Sequence, residues 1–257
     1  NSLLLFGIIF SALPVLILIC LNIFAFKTKF ILYKPNIKKW SSSYLKDITG
    51  LGFNFFITKL GALVLLSTDS FIIIQLYSPA EVVPYNLAYK YFSILLILYA
   101  LILNPYWSSF TDAYKRNDIK WIKTSVNSIQ KIWFVVPIAL IVMLLMANKF
   151  YYLWIGDQFK IPLSLSLSMA LFVLFHTFNQ IYNQFINGVG KIKMHVYISI
   201  IIIIINIPMS IFFAKNLALN VSGIILASCV CLLLKIVILP IQYHKIINNK
   251  AKGIWNS

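Results

Sequence analysis

Acidic residues are nearly absent from this chain: Asp and Glu together number 6 among 257 residues, against 22 Lys and Arg. Charged residues make up 11% of the chain and hydrophobic ones 61%, where a soluble domain carries roughly 25% and about 45–50%. The polar coat of a water-soluble core of this size is missing. Cysteine is scarce too: Cys20, Cys229 and Cys231 all lie in apolar stretches. They show neither metal-ligand spacing nor an even-numbered disulfide pattern, and read as small core hydrophobes. The sequence has no Gly-x-x-x-x-Gly-Lys phosphate loop, no paired-carboxylate site and no Ser/His/Asp set to assemble. His176, His195 and His244 are too scattered to look like ligands, so neither a metal nor a cofactor is expected. No connection between apolar stretches exceeds about 20 residues, which leaves no room for a soluble catalytic domain. Transport, and not enzyme chemistry, is the expectation. An initiating Met and a basic n-region are absent as well, so the first apolar stretch is a poor signal peptide. It reads as a helix from the middle of a longer protein.

What the chain does have is long apolar blocks, such as the run of isoleucines from 200 to 205. Unbroken blocks exclude an outer-membrane barrel, whose strands alternate lipid-facing and lumen-facing residues. A spanning helix needs about 20 mostly apolar residues. Seven stretches qualify: 3–26, 51–77, 82–108, 125–147, 162–185, 194–214 and 217–240. Breakers fall between them, with Pro79 and Pro84 about one turn, Gly188 and Gly190 in another, and Lys215-Asn216 at a third. The predicted fold class is an all-α polytopic transmembrane helix bundle of about seven spans.

Orientation follows from where the cations fall. One set of connections is 27–46, 109–124, 186–193 and the tail, and it holds fifteen Lys and Arg; the opposite set, 78–81, 148–161 and 215–216, holds three. The tail is therefore placed in the cytoplasm and residue 1 outside. Lysines spread between apolar blocks do not suggest nucleic acid. The segment 34–47 is basic, with Trp40, Tyr44 and Leu45 interspersed. It reads equally as an interfacial stretch on the cytoplasmic face or as an ordinary solvated loop.

Several short signatures follow one another along the chain. They are Thr68-Asp69-Ser70 late in a helix, Tyr77-Ser78-Pro79-Ala80-Glu81-Val82-Val83-Pro84-Tyr85-Asn86-Leu87-Ala88, and Asn104-Pro105 near the next helix end. Thr111-Asp112-Ala113-Tyr114-Lys115-Arg116-Asn117-Asp118, Leu153-Trp154-Ile155-Gly156, Ile186-Asn187-Gly188-Val189-Gly190-Lys191 and Asn206-Ile207-Pro208 complete the series. In this order the set resembles the carboxy-terminal lobe of bacterial lipid-linked oligosaccharide flippases (Wzx-type O-antigen or capsule exporters). These share a superfamily with the MATE multidrug exporters and the lipid II flippases. Asn117 departs from the family's pattern, standing where Gly is common. The resemblance implies one six-helix lobe of a MATE-like fold plus one preceding helix. In that division 1–26 is the last helix of an amino-terminal lobe otherwise missing, 27–50 a cytoplasmic linker, 51–240 the six-helix lobe and 241–257 a cytoplasmic tail.

Charged residues near the bilayer centre cost at least ~2.5–3.5 kcal/mol on insertion scales, so each needs a partner, a wet cavity or an escape. Lys131 and Lys235 lie close to cytoplasmic helix ends, and their stems can snorkel to the interface. Lys59 lies deeper and reads as either cavity-lining or snorkelling. His176, Asn179, Gln180, Asn183, Gln184 and Asn187 fall within one arc of about 140° on a helix. Such a stripe faces something polar, a cavity in preference to hydrogen-bonded packing. Asn206 with Pro208 reads as structural, a kink or a broken hydrogen bond. Asp69 and Lys90 sit at equal depth on adjacent antiparallel helices and are expected to form an ion pair.

The resemblance implies a function: flipping a polyprenyl-pyrophosphate oligosaccharide across the cytoplasmic membrane of a bacterium, in O-antigen or capsule biosynthesis. Lys59 and Lys90 would contact the anionic pyrophosphate, with Asp69 as the pair of Lys90. His176, Asn179, Asn183 and Asn187 would hydrogen-bond sugar hydroxyls. Membrane lipid and other polysaccharide-assembly proteins are the remaining partners. The rivals are a MATE-type exporter of organic cations and a scaffold of polysaccharide assembly without transport of its own. The charge count yields a direct expectation. Cysteines replacing Lys115 and Lys191 should be shielded from an impermeant thiol reagent in intact cells, and one replacing Asp157 labelled; strong labelling at 115 would reverse the orientation.

Overall fold

The structure, a computed structural model, describes residues 2–36, 42–156 and 158–257. The interfacial reading of 34–47 runs through 37–41, which lie outside the described residues, as does Asp157. Among the described residues seven helices are long and apolar enough to cross a membrane, and no strand is present. The chain divides into two units, Asn1–Thr49 and Gly50–Ser257.

The first unit holds α1 (Ser2–Lys27) and a short 3-10 turn, Ile31–Tyr33. Helix α1 is apolar on every side, as a membrane helix is. Asn22 Nδ2 donates back along the helix to Leu18 O at 2.8 Å, and just past its end Thr28 Oγ1 donates to Phe24 O at 2.7 Å.

The second unit is the helix bundle. It consists of α2 (Ser42–Leu76), which begins shortly before the unit boundary, α3 (Val82–Lys115), α4 (Ile119–Trp133), α5 (Val135–Ile155), α6 (Leu163–Val189), α7 (Lys193–Ile211) and α8 (Asn220–Ile247). Helices α4 and α5 are one span with a break at Phe134. Short turns join successive spans, so α3, α6 and α8 run one way and α2, α4–α5 and α7 the other. The connections expected at 109–124 and 186–193 are largely helical. Helix α3 continues to Lys115, α4 starts at Ile119 with the Asp118 carboxylate accepting from Trp121 N at 3.0 Å, and α6 continues to Val189. A charged sequence loses its hydropathy signal where a helix leaves the bilayer, but the backbone hydrogen bonds carry on past that boundary. Gly190 stops α6 in the left-handed conformation, φ 71°, with its N–H on Asn187 O, as glycine C-caps do.

Helix α6 is the hub, packed against α3, α4, α5 and α8. Polar residues hold its seams. Tyr182 OH accepts from Gln130 Nε2 at 2.6 Å and Thr177 Oγ1 from Trp133 Nε1 at 3.1 Å, both fastening α4. Asn179 Nδ2 reaches Leu232 O on α8 at 3.2 Å, and Thr111 Oγ1 on α3 donates to Gly188 O at 2.7 Å. Each such bond is worth roughly 0.6 kcal/mol in a membrane bundle. The reading of Asn206 as structural fits its contacts: Nδ2 donates to Ser228 Oγ at 3.0 Å, tying α7 to α8. A turn of π-helix, Phe212–Asn216, follows α7. Cys229 and Cys231 are buried in this region.

The end of the chain folds back on the bundle. Lys193 N donates to Ser257 O at 2.9 Å, Lys191 Nζ to Asn256 O at 2.9 Å, and Lys245 Nζ sits 3.8 Å from the centre of the Trp255 ring.

The α3–α6 seam depends on a missing side chain. A Cβ on Gly188 would stand 2.8 Å from Trp107 O and 3.0 Å from Phe110 Cβ, whereas one on Gly52 would meet nothing within 4 Å. Gly188→Ala should destabilise the bundle by roughly 1–3 kcal/mol, and Gly52→Ala should be neutral or stabilising by up to about 1 kcal/mol. Thermal unfolding in detergent distinguishes the two, and an unchanged midpoint for Gly188→Ala would refute the tight crossing.

Candidate functional site

The polar stripe of α6 opens onto a cavity of about 250 Å³. His176, Asn179, Gln180, Asn183 and Asn187 supply one wall, Thr58 and Lys59 of α2 another, and His195 of α7 and Lys235 of α8 close it. Phe55, Leu65, Leu66, Leu232 and Leu239 add apolar surface, and among the described residues no carboxylate lines the space. The residues meet because helical periodicity sets the stripe on one side of α6, and the packing of α8 brings Lys235 alongside Asn179.

Within the cavity the side-chain amides form a ladder. Asn187 Nδ2 donates to Asn183 Oδ1 at 3.4 Å, and Asn183 Nδ2 to Gln180 Oε1 at 3.1 Å. Asn179 Nδ2 is taken by two backbone carbonyls, Phe175 O at 3.0 Å and Leu232 O at 3.2 Å. Several buried atoms are left without a protein partner: His176 Nδ1, Asn179 Oδ1, Asn187 Oδ1 and His195 Nδ1. Buried polar groups are ordinarily hydrogen-bonded. A cluster of unpartnered ones around a cavity is therefore equipped to bind a polar molecule or water.

Of the residues expected at the site, Lys59, His176, Asn179, Asn183 and Asn187 come together here. Lys59 lines the cavity although its side chain is exposed overall. Asp69 does not join them. It is 3% exposed and lies in a narrow crevice with Tyr85, Tyr89, Met169, Phe172 and Ile225, separated from the cavity by Leu65 and Leu66, which line both spaces. Lys90 belongs to neither and is exposed.

The expected ion pair between Asp69 and Lys90 is not formed. Asp69 Oδ2 accepts from Tyr85 OH at 3.1 Å, and Oδ1 has no partner. Lys90 lies five residues from Tyr85 on α3, about 7.5 Å along the helix and about 140° round it at 100° per residue, so it faces away from Asp69. The snorkelling expected of Lys235 is also corrected. It is 7% exposed and turned inward. Its phase on α8 explains why: Ser228, Cys231, Lys235 and Gln242 fall within about 60° of one another. Ser228 and Gln242 are fully buried, with Gln242 Nε2 on Lys191 O at 2.8 Å. That stripe was readable in the sequence beside the α6 stripe. His195 carried no such signal; it reaches the cavity from the first turn of α7. Among the described residues no group of three or more His, Cys, Asp or Glu is placed to hold a metal ion.

No protein-family model and no curated protein sequence matches the chain. Among solved structures it is similar to a crystal structure of a MATE mutant, with a TM-score of 0.66 over 90% of this chain at 14% sequence identity. The chain spans about half the length of that protein, 54% of it. The fold expected from the sequence resemblance, a MATE-like transmembrane helix bundle, is the fold of this chain.

Proposed function

We propose that this chain is a membrane transporter that flips a lipid-linked oligosaccharide from one leaflet to the other, as its resemblance to polysaccharide exporters suggests. One observation carries the reading: a cavity in the bundle holds two lysines, Lys59 and Lys235, beside a ladder of side-chain amides, with no carboxylate among the described residues that line it. Ionisable residues inside a membrane bundle mark substrate paths by default. Lys59 and Lys235 supply point charges for a pyrophosphate. Asn179, Asn183, Asn187 and Gln180 present donors and acceptors of the kind that sugar hydroxyls satisfy. At about 250 Å³ the space is smaller than the roughly 300–1,000 Å³ of a drug-sized ligand site. It suits the pyrophosphate with its first sugar, and not a whole glycan. Lys90 drops out of the proposed site, and Lys235 and His195 enter it. Under this reading the lysine-rich end is cytoplasmic, the membrane is the bacterial inner membrane, and the partners are other proteins of O-antigen or capsule assembly. Transport requires no chemistry from the chain.

The second reading, a MATE-type exporter of organic cations, is favoured by the fold and by Asp69, a buried carboxyl with an unpartnered oxygen. Against it, a cation in the cavity would meet Lys59 and Lys235 before any carboxylate.

Purified protein in vesicles carrying a fluorescent polyprenyl-pyrophosphate oligosaccharide tests the proposal. Leaflet exchange above protein-free vesicles is expected. Lys235→Gln should lower it about tenfold or more, the worth of one charge-assisted hydrogen bond, with Lys235→Arg partly restoring it and Lys90→Gln without effect. Cation-driven dye efflux without lipid exchange would establish the exporter, and neither activity would leave the scaffold.

A further inference from the structure

Helix α4 is built differently from its neighbours. Its inner side carries Ile122, Val126 and Ile129, all 0% exposed, and is fastened to α6 by Gln130 and Trp133. On the opposite side Lys120, Thr124, Asn127 and Lys131 fall within about 60° of one another, and all four are exposed. A helix wholly inside the hydrocarbon would present apolar residues there. The same outward side continues into α5 as Phe134, Val135, Ile138, Ile141, Val142 and Leu145, each 49–81% exposed. The outer surface thus changes from cationic to apolar between Lys131 and Phe134. From Phe134 to Trp154 is about 30 Å at the helical rise, the thickness of a bilayer's hydrocarbon core. Lys131 therefore stands at the level of the headgroups, with Asn127 and Ser128 one turn beyond it, while Lys120 lies about 16 Å further out. Helix α3 shows the same change alongside, from exposed Leu101 and Ile102 to exposed Asp112, Lys115 and Arg116.

We infer that Lys131, with Asn127 and Ser128 beside it, holds the phosphate headgroup of an anionic phospholipid whose acyl chain lies along Phe134, Val135 and Ile138. The occupant follows from continuity. The cationic and apolar surfaces adjoin without a gap, and an amphiphile with an anionic head covers both together. An acidic soluble protein would cover Lys120 and Lys123, which lie further from the membrane, but would leave Phe134 and Val135 to lipid. The nearby carboxylates do not cancel the cation. Asp118 is engaged as the cap of α4, and Asp112 lies on α3 next to Lys115 and Arg116. Lysine suits the role because it binds phosphate as a point charge, and its stem lies readily along apolar surface.

The purified chain in detergent, supplied separately with phosphatidylglycerol and with phosphatidylcholine, is read by native mass spectrometry for retained lipid. Phosphatidylglycerol should be retained in excess. Lys131→Gln should reduce that excess about fivefold, the worth of one lysine near an anionic surface, and Lys131→Arg should restore most of it. The thermal midpoints of the variants separate this loss from misfolding. Equal retention of the two lipids, or Lys131→Gln behaving as wild type, overturns the assignment. So does a loss confined to Lys120→Gln with Lys123→Gln, which would place the anionic headgroup further out on α4.

Discussion

Inside a bilayer no water relieves an unpaired polar group, and in this bundle that constraint falls hardest on α6. The helix is buried along most of its length, yet it carries hydroxyls, amides and a histidine over its second half. One part of this set is satisfied across helix seams, through Thr177, Tyr182 and the Asn179 amide nitrogen. Those bonds register α4 and α8 on the hub, because apolar packing alone gives little directional preference between helices in lipid. The other part points into the cavity and keeps open atoms, at His176, Asn179 and Asn187. The division between structural glue and binding surface runs through the single side chain of Asn179, whose nitrogen is used and whose oxygen is free.

The electrostatics follow the same logic. Two lysines face one cavity with no carboxylate among its lining residues, and like charges in a medium of low dielectric repel strongly. Such a site is stable when it is wet, or when an anion enters. The only carboxyl deep in the bundle among the described residues, Asp69, stays apart in its own crevice with Tyr85. Its separation from the lysines by Leu65 and Leu66 keeps the cavity cationic. Had Asp69 reached either lysine, the pair would have closed the site on itself, and the amide ladder would have had no charge beside it. The arrangement therefore leaves two cations and an amide ladder in one space, with the buried carboxyl outside it.

The seven spans, the short turns at Pro79 and Gly190, and the polar stripe of α6 were legible in the sequence. Each depends only on local hydropathy and on a period of 3.6 residues. The helical ends of α3 and α4 were less legible, because hydropathy reports the edge of the bilayer and not the end of the helix. Counting residues along each helix put Asp69 and Lys90 at one level, but the partner Asp69 meets is Tyr85, five residues from Lys90 on α3. Their azimuths could not be matched, since the rotation of one helix against another is set by packing. Lys90 consequently looks outward while Asp69 meets Tyr85. Lys235 was misplaced for another reason: its nearness to a helix end suggested escape to the interface, whereas its phase with Ser228, Cys231 and Gln242 sets it on the buried side of α8. Sequence by itself determined that this is a helical membrane bundle and which side of α6 is polar, because local chemistry and helical geometry suffice for that. Only the tertiary structure decided which charges share a cavity, because that depends on how whole helices rotate to bury their seams.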